Sequence, residues 1–246
     1  MEQLYLCKNE EELQELKKHT PLLMEGMEEY VNMLQSDMGV KEIPKCIVWT
    51  DYRSATELIT ELPVPAFTND WRTVMTPYLD AWKGVYLSQL KDYDMWDEKV
   101  GKVRDYYENL PISQVRQIFG HEFVHWSEYF WDELFEETMW FEEGMAEYIS
   151  RKWYLTQAEY EKEKEINRLL IELFEEQNGE QSLNGFDQSV YEKGMTTVFY
   201  YYWKSFLTVE ELVRREGGNI EEVMLCYQRW GRTKREVTLL DWFDMH

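Results

Sequence analysis

Two histidines and a glutamate in the middle of the chain have the spacing of a metal site. His121 and His125 are four residues apart, and Glu122 directly follows the first histidine. The apolar pattern predicts a helix over residues 113–130, and on a helix positions i and i+4 share one face. Both imidazoles could therefore bind one Zn²⁺, with Glu122 as the general base acting on a water at the metal. The same spacing also fits two histidines that are hydrogen-bonded within a core.

A hydrolytic zinc site needs a third protein ligand, and a second helix could supply it. Catalytic zinc usually has three protein ligands and one open position. The segment from Trp140 to Tyr148 lies in a helix predicted over residues 137–153, and it carries adjacent glutamates at positions 142 and 143. A carboxylate turned from this helix toward the first one would complete the ligand set.

The segment W-F-E-E-G-M-A at residues 140–146 resembles the W-x-x-E-G-x-A motif of the gluzincin metallopeptidases. The resemblance implies a zincin-like fold and assigns the third zinc ligand to Glu143 rather than Glu142. It also implies that Gly144 lets the two helices approach closely. In thermolysin-like relatives an acid at the position of Glu147 hydrogen-bonds a ligand histidine, which implies an orienting role for Glu147. The alternative for that residue is an ordinary solvated glutamate.

A further match involves a tyrosine near residue 190. Tyr191 begins the run Y-E-K-G, which resembles the Y-x-K-G segment of the aminopeptidase N branch of the family. The resemblance implies that the Tyr191 hydroxyl donates to the oxyanion of the tetrahedral intermediate. The alternative is a tyrosine that only packs at the start of a helix. The three motifs occur in family order over residues 114–203, and together they imply a Zn²⁺ cofactor and a peptide or protein substrate.

Two departures from that branch leave the type of peptidase open. The chain has no G-x-M-E-N segment upstream of the zinc motif, and in the family the glutamate of that segment binds the free α-amine of the substrate. In addition, 17 residues separate His125 from Glu143, one fewer than is usual in the branch. Both features favour endopeptidase action, or an unusual peptide substrate, over aminopeptidase action.

The elements that must position these residues change in character along the chain. In the first part, the sequence predicts helices over residues 9–37 and 54–61, the first of them with a break near Thr20-Pro21. It predicts strands over residues 43–50, 72–76 and 84–88. Residues 91–109 show no clear period. The second part predicts helices over residues 113–130, 137–153, 157–177, 190–215 and 219–230.

Strands that precede helices, rather than alternating with them, predict an α+β fold. We expect a single catalytic domain over residues 1–246. Within it, residues 1–110 would form a small mixed N-terminal lobe with a short sheet. Residues 111–246 would form a helical C-terminal lobe that carries the zinc site.

Composition and charge narrow the possible partners. The chain has 246 residues, with 48 Asp and Glu against 26 Lys and Arg, so its formal net charge is −22. A surface with this negative charge disfavours binding to nucleic acid and to anionic membranes. The three cysteines are far apart in sequence, and no signal peptide or membrane-spanning run is visible, so a cytoplasmic location is expected. The oligomeric state is left open by the sequence.

These observations predict a zinc-dependent peptidase in which His121, His125 and Glu143 hold the metal. The alternative is a non-catalytic binding or regulatory module that zinc stabilises on the same scaffold. The presence of Glu122 argues against this alternative, since a structural zinc site needs no base and usually has four protein ligands. A protease that cleaves a single partner protein would use the same residues.

Overall fold

The computed structural model describes residues 1–60 and 64–245 and has a mixed α+β fold. The predicted α+β class is confirmed, with one small sheet and a majority of helical residues. The chain forms two compact units. The first unit comprises residues 1–127 and 149–157, and the second comprises residues 128–148 and 158–246. Among the helices of the described ranges, none is long and apolar enough to cross a membrane.

The sheet belongs to the first unit. Its strands are β1 (Glu2–Leu6), β2 (Cys46–Thr50), β3 (Ala66–Thr68) and β4 (Arg72–Met75). Their order across the sheet is β1-β2-β4-β3, with β3 antiparallel to β4 and the other pairs parallel. The register places Leu4 opposite Val48 and Val48 opposite Val74.

The strands predicted near residues 43–50 and 72–76 are confirmed as β2 and β4, while β1 and β3 were not predicted. Four of the five β1 residues are exposed, so the strand lacks the alternation of apolar and polar residues that marks a half-buried strand. β3 has only three residues. Such a segment is too short to give a period.

The helices of the first unit surround one buried helix. They are α1 (Glu10–Met24), α2 (Met27–Asp37), α3 (Leu79–Ser88), α4 (Glu98–Glu108), α5 (Ile112–Val124) and the C-terminal end of α6 (Phe135–Tyr154). In α5 nearly every side chain from Gln114 to Val124 is buried. A helix that is buried on all sides lies in the interior of its unit. The predicted zinc motif therefore sits on the central helix of the first unit.

The predicted break at Thr20-Pro21 is wrong, because α1 continues through Pro21. Leu16, Thr20 and Leu23 form one buried face across the proline, and this packing holds the helix together. The break occurs at Gly26, whose φ of 73° lies in the left-handed region that favours glycine.

Two other predictions in the first unit need revision. The strand predicted over residues 84–88 is wrong, since α3 occupies that region with Trp82 and Val85 buried on one face at helical spacing. The helix predicted over residues 54–61 corresponds to a π-helical segment, Ser54–Ile59. Residue 61 lies outside the described residues.

The second unit contains most of α6 together with α7 (Gln157–Asn178), α8 (Met195–Arg215), α9 (Ile220–Gly231) and α10 (Leu239–Trp242). A Cβ at Gly144 of α6 would lie 2.6 Å from the backbone oxygen of Ser205 in α8, so only glycine permits this helix contact. The expectation that Gly144 lets α6 approach the helix of the zinc motif is therefore wrong, because the glycine faces α8. The helices predicted over 157–177 and 219–230 are confirmed. The one predicted over 190–215 begins later, at Met195, because Gly194 has a φ of 96°.

Candidate metal centre

α5 brings the two predicted histidine ligands together and ends beside the second of them. The last residue of α5 is Val124, and His125 follows as the cap residue with helical dihedrals, φ −61° and ψ −13°. The predicted continuation beyond this point is wrong, because Ser127 forms a β-bridge with Val40 and its hydroxyl donates to the Met38 carbonyl. The four-residue spacing of the histidines on one face is preserved.

The two imidazoles face each other at hydrogen-bond distance. The Nε2 atoms of His121 and His125 are 3.0 Å apart, and His121 is only 5% exposed. Two nitrogens bound to one tetrahedral zinc ion, each at 2.0–2.1 Å, would be about 3.3 Å apart. Both histidines also lie at the C-terminal end of α5, where the free carbonyl groups favour a cation.

The backbone just before His121 is fixed by two aromatic residues of the first unit. The Tyr30 hydroxyl donates to the Gly120 carbonyl at 3.0 Å. Burial raises the pKa of Tyr30 well above its usual value, and the nearby Tyr154 raises it further, so this hydroxyl stays protonated as a donor. The Tyr154 ring covers Gly120 so closely that a Cβ there would overlap it. His121 thus follows a closely packed part of α5.

α6 carries the predicted third ligand on its buried face. Glu143 is 5% exposed, whereas its neighbour Glu142 is only partly buried. A side chain that helical geometry directs into the interior is the one placed to meet a histidine pair that is itself partly buried. The burial pattern thus agrees with the choice of Glu143 over Glu142.

The ligand atoms of the three predicted metal-binding residues converge. One donor atom each from His121, His125 and Glu143 lies within 4.8 Å of the other two. The set has two imidazole nitrogens and one carboxylate oxygen, which is a known donor set for catalytic zinc. This upper limit on the separations of the donor atoms is compatible with the distance of about 3.3 Å between tetrahedral ligands. The residues fit a Zn²⁺ ion.

Glu122, the predicted general base, is buried beside this group. It is 7% exposed on α5 and follows His121 directly, so it projects about 100° around the helix from that histidine. This position keeps its carboxylate off the line between the two imidazoles. Its assignment as the base stays a prediction.

The other two predicted residues occupy different surroundings. Glu147 is 8% exposed and lies one turn after Glu143 on the same face of α6, so it is not the solvated glutamate of the alternative interpretation. Tyr191 lies in the 3₁₀ segment Gln188–Lys193 rather than on the long helix expected there. Its hydroxyl is 2.8 Å from that of Tyr202 on α8. The roles predicted for both residues stay predictions.

Sequence reasoning missed the residues that hold α5 in place. Tyr30 and Tyr154 are far from the motif in sequence, and nothing local to them marks their contacts with Gly120. Gln117 is 1% exposed and donates to the Ser150 hydroxyl of α6 at 2.9 Å. Gln117 could have been recognised from the sequence by its position four residues before His121, since a buried glutamine on the ligand face needs a hydrogen-bond partner.

Comparison of the chain with protein-family models, with curated proteins and with solved structures gave no match. The resemblance to gluzincins therefore remains limited to the three short motifs, and the arguments for function come from the geometry of the candidate centre.

Proposed function

We propose that the chain is a zinc-dependent peptidase with a zincin-like arrangement of its metal site. One observation carries the proposal: the donor atoms of His121, His125 and Glu143 lie within 4.8 Å of one another, although Glu143 belongs to a different helix from the two histidines. When bound, zinc supplies a positive charge that polarises a peptide carbonyl and favours the loss of a proton from water. The remaining chemistry falls to residues of the chain.

Glu122 is the proton carrier of this mechanism. Its carboxylate accepts a proton from the water that attacks the scissile carbonyl carbon. As the C–N bond breaks, the same carboxyl group passes the proton to the leaving amine. Its burial supports this role, because a base that is shielded from bulk water exchanges its proton with the reactants.

The substrate is proposed to be an extended peptide held along β3. In the described part of the sheet β3 pairs only with β4, so its other edge is available for β-strand addition. Thr68 on this strand accepts a hydrogen bond from Trp126 Nε1 at 3.0 Å, which ties the edge to the residue after His125. Tyr191 is proposed to donate its hydroxyl to the oxyanion that forms on the carbonyl. An extended binding mode favours endopeptidase action.

The proposal is tested by Glu122→Gln, with Glu142→Gln as a matched control on the second helix. Both variants remove one negative charge from a glutamate adjacent to a proposed ligand. We expect Glu122→Gln to keep about one zinc per chain and to lose 10²- to 10⁴-fold in cleavage rate, as is typical when a general base is removed. The control should cleave within a few-fold of the wild-type rate.

The measurement is cleavage of a mixed peptide library by the zinc-loaded protein, followed by mass spectrometry, with zinc content determined on the same samples. Equal cleavage by the wild type and Glu122→Gln would contradict the role of Glu122. A wild-type protein that holds zinc and cleaves no peptide or protein would leave the non-catalytic module as the better interpretation.

A further inference from the structure

The contact between α5 and the end of α6 contains a buried polar pair. Gln117 is 1% exposed and Ser150 is fully buried, and the Gln117 amide donates to the Ser150 hydroxyl at 2.9 Å. Burying either group without a partner is costly. The two residues therefore favour an arrangement of the helices in which they meet.

This pair lies on the same helix faces as the proposed zinc ligands. On α5, Gln117, His121 and His125 follow one another at intervals of four residues. On α6, Ser150 lies seven residues after Glu143, which is about two full turns. The polar pair and the ligands thus belong to one continuous stripe on each helix.

Helix geometry links the position of the pair to that of the ligands. With a rise of 1.5 Å per residue, His121 and His125 lie about 6 and 12 Å beyond Gln117 along α5. Glu143 lies about 10.5 Å from Ser150 in the N-terminal direction of α6. If the helices are antiparallel and Gln117 is opposite Ser150, Glu143 falls between the levels of the two histidines. The convergence of the three donor atoms within 4.8 Å agrees with this register.

We propose that Gln117 and Ser150 are positioning residues that set the register of α5 against α6 and thereby hold Glu143 at the histidine pair. This inference rests on the metal site of the proposed function. A slip of one helical turn, about 5.4 Å, would separate the two polar groups and move the carboxylate away from the imidazoles by the same distance. A buried polar pair opposes such slips more strongly than apolar contacts, which are less directional.

The test compares Gln117→Met with Gln114→Met. Both residues are buried glutamines of α5, but Gln114 donates to the hydroxyl of Tyr106 on α4 rather than to α6. Methionine keeps the length of the side chain and removes the amide. We expect both variants to lower the urea midpoint of the metal-free protein by a similar amount. Only Gln117→Met should weaken zinc binding, by 10- to 100-fold, as is typical when a residue that orients a ligand is lost.

Zinc affinity is measured by competition with a chromophoric chelator, which does not depend on turnover. Ser150→Ala should weaken binding like Gln117→Met, while Ser150→Thr, which keeps the hydroxyl, should bind zinc more tightly than Ser150→Ala. This second pair tests the inference even if Gln117→Met does not fold.

Two results would overturn the inference: a zinc affinity of Gln117→Met that is unchanged from the wild type, or a loss of affinity that is equal in Gln117→Met and Gln114→Met. They are distinguishable from a failure of the proposed function, in which the wild type itself would bind no zinc. A wild type that binds zinc tightly, together with a Gln117→Met protein that binds equally tightly, removes the positioning role and leaves the metal site intact.

Discussion

Two groups of ionisable side chains, each with buried members, differ in the chemical groups that they bring together. In the second unit Lys164 of α7 lies 2.7 Å from a carboxylate oxygen of Glu210 on α8, and 3.3 Å from one of Glu161. The side chains of Lys164 and Glu210 are 11% and 15% exposed. Opposite charges meet there, so the protein itself compensates the cost of burial.

The candidate metal centre brings together groups of another kind. His121, His125 and Glu143 all offer lone pairs, and their donor atoms converge within 4.8 Å. Such a group gains stability when a cation is added, whereas an ion pair that is already complete does not. Buried charge alone is thus a poor sign of a binding site, and converging electron-pair donors are a better one.

The largest expected effect comes from adding zinc to the metal-free protein. A ligand that binds only the folded state stabilises it by about 4 kcal/mol when its free concentration is 1,000 times its Kd. We expect a gain of this order, measured by chemical denaturation with and without zinc. Magnesium at the same concentration should have little effect, because it prefers a shell of oxygen ligands. Equal stabilisation by both metals would show that the gain does not arise at a nitrogen-containing site.

Lys164→Met should have the next largest effect, because it leaves Glu210 partly buried without its closest cation. We expect a loss of about 2 kcal/mol in the free energy of unfolding, since the pair is not fully dry. The double variant Lys164→Met/Glu210→Leu should recover part of that loss. Zinc affinity should stay within about twofold of the wild type in both proteins. A large change in zinc affinity would show that the ion pair of Lys164 and Glu210 is coupled to the candidate metal centre, which would contradict the separation of the two groups.

Gly120→Ala should cost about 1–3 kcal/mol of unfolding free energy, because the new methyl group meets the rings of Tyr154 and Tyr30. Gly101→Ala is the matched control. Gly101 lies inside α4 with no atom within 4 Å of the added Cβ, so alanine there should stabilise by about 0.5–1 kcal/mol. Thermal or urea unfolding of both metal-free variants measures the difference. The same sign of change at both sites would contradict the close packing described before His121.

Features that depend on local spacing could be predicted from the sequence, and features set by distant contacts could not. The helical periodicity around His121 and Glu143 predicted both helices of the candidate centre. The end of α5 at His125 could not be predicted, because it depends on contacts of Ser127 with Val40 and Met38, almost 90 residues earlier.

The distinction between local spacing and distant contacts also explains the other differences between the predicted and the observed elements. The second half of α3, residues 84–88, was predicted as a strand because its local sequence is rich in apolar and aromatic residues, and the burial of Trp82 and Val85 on one face identifies a helix. Tyr191 was expected on a long helix because nothing in its own segment shows that Gly194 adopts a φ of 96°. The choice between Glu142 and Glu143 needed a family resemblance at first, and their burial now separates them.

The most direct test of the account is the zinc content of the purified protein and of His125→Ala after reconstitution and removal of loosely bound metal. His19→Ala is the matched control, since His19 is more exposed and packs edge-on against Tyr78. We expect about one zinc per chain in the wild type and in His19→Ala, and a large loss of zinc in His125→Ala. A wild-type protein without zinc, or equal zinc in all three proteins, would contradict the metal site on which the proposed function depends.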